Sequence, residues 1–267
     1  MQVSTSAYYA WRKQPGKLID ADVLHLHRRI KSLFKQSRNS LGSRELMKNL
    51  RKEGIAISRY KVSKLMKKLG LSVTQRVAYK VTTKRRHGDD VADNLLNQNF
   101  NPVGPNQIWA GDITYLLTGE GWMYLAIVMD LYSRRIVGWF ISKRMTTDLI
   151  SKAMVKAYNL RRPPKGLVFR SDRGSQYTSR RYRQLLEGYG VCASMDDVGA
   201  CWDNAVVERF FGSLKHDWIF KIEQPTRELM TKDVAAYMRY YNLERLHTKN
   251  GDQSPINYES SLKKVSG

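Results

Sequence analysis

Residues 108–141 read IWAGDITYLLTGEGWMYLAIVMDLYSRRIVGWFI and decide the fold of the larger part of the chain. Apolar and β-branched residues concentrate in three runs, at 108–116, 122–129 and 135–141, and short turn-forming segments separate these runs. Consecutive strands with connections this short pair as antiparallel hairpins. The stretch therefore predicts three neighbouring strands at the beginning of a sheet.

Downstream of these strands the pattern alternates between helix and strand. Helices are predicted at 146–160, 179–187 and 203–218, and short apolar strands at 166–171 and 191–195. Three strands followed by helix, strand, helix, strand and helix are typical of a mixed sheet with helices packed on it. The predicted fold class is therefore α/β.

The first seventy residues predict a small all-helical unit. Apolar residues recur at helical spacing from Ala21 to Gln36, and Ser43 and Ser58 are suited to cap a second and a third helix. The tight turn between the last two helices indicates a helix-turn-helix, whose second helix enters the DNA major groove. The predicted DNA-contacting residues of that helix are Arg59, Lys61, Lys64, Lys67 and Lys68. A three-helix bundle with basic faces is the alternative.

Charge is distributed unevenly along the chain. The formal net charge is +22, and residues 1–90 hold 22 basic and 6 acidic residues, against 24 and 18 in residues 91–267. A basic segment of this size favours a protein that binds nucleic acid, although a highly soluble surface has the same composition. No apolar run approaches the roughly 20 residues of a membrane span. We therefore expect a cytoplasmic protein without membrane contact.

Three acidic residues hold positions typical of a catalytic site. Asp112 lies inside the first predicted strand, where an unpaired carboxylate is costly. Asp172 follows the predicted strand at 166–171, and α/β sheets commonly place ligands at the carboxyl ends of strands. Glu208 lies on the last predicted helix of the sheet region. Each acid also has an ordinary interpretation, as part of a bulge, a turn or an exposed helix face.

The helix that carries Glu208 also aligns two other polar residues with it. At about 100° per residue, Asn204, Glu208 and Lys215 form one row at the border of the apolar face. We predict that Lys215 contacts a DNA phosphate and that Asn204 caps the helix or orients Glu208. A solvated lysine and a plain helix cap are the alternatives.

The three acids together favour a metal site. Carboxylate oxygens are the ligands that hard divalent cations prefer. Two Mg²⁺ (or Mn²⁺) ions held by such a set can activate an attacking oxygen and stabilise a leaving oxygen. The set therefore predicts a two-ion site for phosphodiester chemistry.

Several motifs, in order along the chain, resemble the DDE transposases of bacterial insertion sequences. The resemblance is to the second-frame (OrfB) product of the elements closest to retroviral integrases, and 35 residues separate Asp172 from Glu208, as in the D,D(35)E pattern of that superfamily. The similar segments are WAGDITY (109–115), DLYSRRIVGW (130–139), SDRGSQY (171–177), CWDNAVVERFFGSLK (201–215), and then Tyr241-Asn, Arg245, His247 and Ser254-Pro. Arg170 and the pair Asp196-Asp197 depart from the residue types usual in the family.

The resemblance implies an RNase H-like core with divalent metal at Asp112, Asp172 and Glu208. It also implies cleavage at the ends of a mobile element, followed by attack of the freed 3′-hydroxyl on target DNA. The implied partners are the terminal repeats, the target DNA in the bacterial nucleoid, and further copies of the chain in a homo-oligomer on DNA. The product of an upstream DNA-binding frame, usually fused by frameshifting, is another implied partner.

On this basis we predict four regions. They are a helix-turn-helix DNA-binding region at 1–71, a basic linker at 72–106, an RNase H-like integrase core at 107–220 and a C-terminal helical tail at 221–267. Two other functions remain open: a catalytically impaired DNA-binding regulator derived from a transposase, and an RNase H-type nuclease. The three acids disfavour the first, and the basic N-terminal region with the tail motif disfavours the second.

Overall fold

A computed structural model describes residues 4–13, 19–73, 102–195 and 205–263, with side chains to residue 261. The chain divides into two compact units, residues 1–74 and residues 75–267. No helix in these described ranges is long and apolar enough to cross a membrane.

The first unit is helical, as the sequence predicts. Its helices are α1 (Thr5–Lys13), α2 (Ala21–Gln36), α3 (Ser43–Lys52) and α4 (Arg59–Lys68). Helices α2 to α4 enclose one apolar core. The buried members of this core are Leu26, Ile30, Leu33, Phe34, Leu46, Leu50, Ile57, Val62 and Met66.

Of the two helix caps predicted for this unit, one is confirmed and one is wrong. Ser58 caps α4, since its hydroxyl accepts a hydrogen bond from the Lys61 N–H at 3.2 Å. The prediction that Ser43 caps α3 is wrong. Gly42 is the cap residue, with extended backbone at φ −81° and ψ 175°, and Ser43 is already the first helical residue.

The second unit contains a five-stranded sheet and its flanking helices. The strands are β1 (Ile108–Thr118), β2 (Gly121–Asp130), β3 (Ile136–Ser142), β4 (Val168–Ser171) and β5 (Cys192–Met195). The helices are α5 (Thr147–Arg161), α6 (Ser175–Thr178), α7 (Arg180–Gly188), α8 (Ala205–Asp217), α9 (Arg227–Leu243) and α10 (Pro255–Lys263), with short 3₁₀ helices at Ile219–Lys221 and Thr248–Asn250.

The sheet has the strand order β3-β2-β1-β4-β5. Strands β1, β2 and β3 form an antiparallel meander, whereas β4 pairs with β1, and β5 with β4, in parallel. The predicted succession of three strands and the mixed α/β fold class are confirmed. Because parallel pairing requires a crossover, α5 to α7 lie in the connections that bring β4 and β5 back to the sheet.

Alternate residues of the strands point to opposite faces, and each face has its own core. Ala110 and Leu116 of β1 belong to a core with α8 and α9. Trp109 of β1 belongs to the core that holds α5 and α7. On that second face Gly138 of β3 is required by close packing, because a Cβ there would lie 2.7 Å from the Cβ of Ala157. Helices therefore cover both faces.

Buried ion pairs attach the C-terminal helix α10 to this sheet. Glu259 of α10 accepts two hydrogen bonds from Arg161 of α5, at 2.7 and 2.8 Å, and one each from Arg135 and Ser133, both at 2.7 Å. Arg161 also donates to the completely buried Asp130 at 3.0 Å. The tail is thus part of the same folded unit as the sheet.

Candidate active site

The pairing of β1 with β4 sets the positions of two of the predicted acids. Ile108 pairs with Val168 and Ala110 with Arg170, a constant offset of 60 residues. Asp112 and Asp172 each lie two residues beyond the last of these pairs, Asp112 within β1 and Asp172 directly after β4. Adjacent strands lie about 4.8 Å apart, and corresponding residues of parallel strands point to the same face. The same offset continued past β4 would place the two aspartates side by side.

Both aspartates are half-buried and oriented by backbone N–H groups. Asp112 Oδ1 accepts a hydrogen bond from the Ile113 N–H at 2.7 Å, and Asp172 Oδ1 accepts one from the Gly174 N–H at 2.9 Å. A Cβ at position 174 would lie 2.9 Å from that same Oδ1, which explains the glycine two residues after Asp172. These bonds orient one oxygen of each carboxylate.

Helix α8 brings Glu208 and Lys215 to the same side of the sheet as Asp112. Its buried Val207, Phe210 and Leu214 pack against the face that includes Ala110, two residues before Asp112. Glu208 is exposed on the first turn of α8. Lys215 is half-buried, and the predicted alignment of Asn204, Glu208 and Lys215 in one row stays a prediction.

Lys215 interacts electrostatically with Asp112. Partial burial lowers the pKa of Lys215, and the negative charge of Asp112 opposes this shift. The sequence argument placed Lys215 toward DNA, but it did not find this proximity to Asp112. That proximity depends on how α8 packs on β1, which residue spacing along α8 does not reveal.

The donor set fits a divalent cation in its chemistry, since the side chains supply hard oxygen ligands. Among the residues with described coordinates, however, no three acidic, histidine or cysteine side chains form a group that could hold a metal ion. Within those residues the structure does not gather Glu208 with Asp112 and Asp172 into a closed set of ligands.

Three other residues that the sequence analysis singled out, Asn204, Asp196 and Asp197, lie outside the described residues. Arg170 is fully buried in β4, with 1% of its surface exposed, two residues before Asp172. The residue that departs from the family pattern is thus an interior cation.

The predicted DNA-contacting residues of the first unit all lie on the surface of α4. Val62 and Met66 face the core, whereas the five basic residues are exposed. Four of these basic residues, all but Arg59, occupy one face at about 100° per residue. Tyr60, which the sequence argument missed, lies on that face with 78% of its surface exposed. The signal was present in the sequence, because Tyr60 follows Arg59 and precedes Lys61.

Family comparisons match both units. Residues 21–79 match a helix-turn-helix-like domain, and residues 102–201 and 189–255 match two models described as an integrase core domain. These matches cover helices α2 to α4, the sheet and the tail as far as residue 255.

Two relatives are similar over almost the whole chain. An uncharacterized 31 kDa protein of insertion element IS600 from Shigella sonnei is 38% identical, covering 95% of this chain and 93% of the relative. The transposase InsF of insertion sequence IS3A from Escherichia coli K12 is 36% identical, covering 97% and 91%. A simian T-cell lymphotropic virus intasome shares the fold at 15% identity and a TM-score of 0.52, covering 86% of this chain and 74% of that one.

A mixed sheet with helices on both faces, together with the integrase-core matches, defines an RNase H-like polynucleotidyl transferase. Similarity to the two relatives over nearly the full length then identifies the family within this class. The chain belongs to the IS3 family of insertion-sequence transposases. Integrase cores of this kind depend on divalent metal, and the helix-turn-helix and core domains bind DNA.

Proposed function

We propose that this transposase cuts the ends of its element and joins the freed 3′-hydroxyl to target DNA at a site built by Asp112, Asp172 and Glu208. The observation that carries the proposal is the parallel pairing of β1 with β4, whose last pair, Ala110 and Arg170, lies two residues before Asp112 and Asp172. Helix α8 adds Glu208 and Lys215 on the same side of the sheet. The acids are too far apart in sequence for local structure to explain this arrangement.

Two Mg²⁺ (or Mn²⁺) ions held by these acids would supply activation of the attacking oxygen and stabilisation of the leaving one. Asp112 and Asp172 keep one oxygen each on a backbone N–H, which orients the two carboxylates. In this proposal the Lys215 ammonium, which interacts electrostatically with Asp112, neutralises a DNA phosphate. Asn204 orients Glu208 or caps α8.

The two units have different roles in this proposal. Residues 1–71 bind the terminal repeats through α4, residues 72–106 form a basic linker, and residues 107–220 perform the chemistry. Residues 221–267 complete the core. Two or more copies hold two DNA ends in the nucleoid, and the product of an upstream frame contributes further DNA binding.

The test combines an activity assay with a metal-binding measurement that does not depend on activity. The full chain is incubated in Mg²⁺ with duplexes that carry the element's ends, and Mn²⁺ binding is followed by electron paramagnetic resonance. End-specific cleavage followed by joining, with Mn²⁺ bound by the wild type and less by Asp112→Asn, is the expected result.

Two outcomes would overturn the proposal. DNA binding without cleavage would identify a regulator that has lost catalysis. Cleavage without preference for the element's ends would identify a nuclease. Asp148→Asn is the matched control, because Asp148 is a partly exposed acid of α5 that pairs with Lys152 at 2.7 Å.

A further inference from the structure

The hairpin of β1 and β2 carries a cluster of aromatic side chains near its turn. The Tyr115 ring of β1 meets the rings of Tyr124 and Trp122 of β2 edge to face, with ring centroids 5.2 and 6.2 Å apart. In the strand pairing, Tyr115 lies opposite Tyr124 and Leu117 lies opposite Trp122. We call the surface formed by these four side chains the hairpin patch.

Packing on both faces of the sheet holds the hairpin patch in place. Leu116 and Met123, which alternate with the patch residues along the strands, are buried in the core with α8 and α9. The patch residues therefore point to the other face. On that face Tyr124 packs against the edge of the core that holds α5 and α7. The patch is thus part of a packed strand pair.

The side chains of the hairpin patch are accessible to a partner. Tyr115 exposes 48% of its surface, Trp122 51% and Leu117 60%, whereas Tyr124 is half-buried. Apolar side chains that are exposed next to one another are typical of interaction sites. Exposed aromatic rings in addition favour partners with flat groups that can stack on them.

Basic residues border the hairpin patch on the β3 side. Ser142 of β3 pairs with Tyr124, and the exposed Lys143 and Arg144 follow Ser142 directly. The next acid along the chain, Asp148, is already in an ion pair within α5 at 2.7 Å. The border of the patch therefore favours a partner that carries negative charge.

We propose that the hairpin patch binds single-stranded DNA, with unpaired bases stacked on Tyr115 and Trp122 and with phosphates at Lys143 and Arg144. Aromatic rings beside basic side chains are the combination that binds single strands, because bases stack on the rings while the cations follow the backbone. In a duplex the neighbouring bases cover the base faces, so the patch selects unpaired strands.

A second copy of the chain fits this surface less well. A two-fold dimer through the hairpin patch would bring the same basic border of both copies together, and like charges repel. The inference goes beyond the proposed function, since stacking requires none of the three acids. The choice of DNA rests on the membership of the chain in a family of transposases.

The experiment measures the affinity of the full chain for a short oligothymidylate and for a duplex of the same length, in EDTA so that no strand is cut. Trp122→Leu keeps an apolar side chain but removes the ring, and Trp122→Phe keeps a ring. We expect Trp122→Leu to weaken oligothymidylate binding by roughly five- to hundredfold, and Trp122→Phe to retain most of it. Both variants should bind the duplex like the wild type. Leu160→Ala, which truncates an exposed apolar residue of α5, is the control.

The basic border allows a second measurement that does not depend on the rings. Each phosphate contact on a single strand contributes about −0.7 to the slope of log affinity against log salt. Replacing Lys143 and Arg144 together by Gln should make that slope less negative by about 1.4 for oligothymidylate. Both side chains are exposed, so this variant is expected to fold. Lys232→Gln, which removes an exposed lysine paired with Glu228 on α9, should leave the slope unchanged.

Four results would overturn the inference. The first is an oligothymidylate affinity in Trp122→Leu equal to that of the wild type, and a smaller oligomer of that variant in sedimentation would then assign the patch to a second copy. The second is an equal loss of affinity for oligothymidylate and duplex. The third is an unchanged salt slope in the double variant of Lys143 and Arg144. The fourth is tighter binding of oligouridylate than of oligothymidylate, which would assign the patch to RNA.

Strand cutting in Mg²⁺, measured on the same wild-type preparation, tests the proposed function separately. A wild type that does not cut, together with a Trp122→Leu variant that loses oligothymidylate binding, would reject only the catalytic proposal. A wild type that cuts, together with unchanged oligothymidylate binding in Trp122→Leu, would reject only the hairpin patch as a binding site.

Discussion

Ala110 of β1 and Arg170 of β4 pair across two neighbouring parallel strands, and Asp112 and Asp172 each lie two residues further along the chain. We propose that this register brings the two carboxylates together although 59 residues lie between them. We expect Asp112→Asn and Asp172→Asn each to abolish strand cutting while the melting temperature and DNA affinity stay near wild type. Parallel thermal-unfolding, DNA-binding and cleavage measurements check this. Equal loss of folding and cutting would show that the aspartates are structural.

Lys215 is expected to act on DNA and not on stability. It lies beside Asp112 at the border of the core, and a phosphate near the acids would be within its reach. Lys215→Ala should lower strand joining at physiological salt with little change in melting temperature. Lys232→Ala, in an exposed ion pair of α9, is the control. Full joining activity in Lys215→Ala would contradict a phosphate contact.

The exposed face of α4 should account for much of the salt dependence of DNA binding. Each phosphate contact contributes about −0.9 to the slope of log affinity against log salt. Replacing Lys61, Lys64 and Lys68 together by Gln should therefore make the slope less negative by up to about 2.7. Arg29→Gln is the control, because Arg29 of α2 is paired with Glu53 at 2.6 Å. An unchanged slope in the triple variant would remove α4 from the DNA interface.

Glu259→Gln should destabilise the second unit. Removing the charge of Glu259 takes one carboxylate from Arg135 and from Arg161, which also pairs with Asp130, and breaking a buried ion pair costs about 3 kcal/mol. In a unit of this size that lowers the melting temperature by about 6–12 °C. Glu228→Gln, in an exposed pair with Lys232, should change it by less than about 2 °C.

The ionisation of Glu259 should also make the free energy of unfolding depend on pH in a defined direction. Burial acts to raise the pKa of Glu259, but hydrogen bonds from Arg161, Ser133 and Arg135 outweigh it and lower that pKa. The stabilisation is therefore present above the unfolded value of about 4.3 and is lost as the pH falls through the folded pKa. The difference in unfolding free energy between wild type and Glu259→Gln should shrink below about pH 4. A constant difference down to pH 2 would contradict this sign.

Gly138→Ala should separate α5 from β3. The new Cβ would lie 2.7 Å from the Ala157 Cβ and 2.8 Å from its backbone nitrogen, with the Ala153 carbonyl oxygen also in contact. Overpacking of this kind costs about 1–3 kcal/mol. Gly212→Ala on α8 meets nothing within 4 Å, so it should be neutral or stabilising, as expected for alanine in a helix. Denaturant unfolding of both variants makes the comparison.

Local patterns along the sequence were sufficient to predict most of the helices and strands. The strands of the meander, helix α2 and the Ser58 cap of α4 follow from residue spacing and from neighbouring side chains, because strand alternation, helix periodicity and capping act over a few residues. The cap of α3 was misassigned for a related reason. Serine and glycine both suit a helix start, and only the extended backbone at Gly42 shows which residue precedes the first turn.

Residue patterns alone predicted the fold class, the basic helical unit, the family and the three acids as candidates. The packing of distant segments set the offset between β1 and β4 that leads to Asp112 and Asp172, since this offset depends on how α5 crosses the sheet. The same packing brings Lys215 close to Asp112 and pairs Glu259 with Arg161, which lies 98 residues away in sequence. These contacts form only when distant segments bury their apolar faces together, and the spacing of residues along the chain does not encode that geometry.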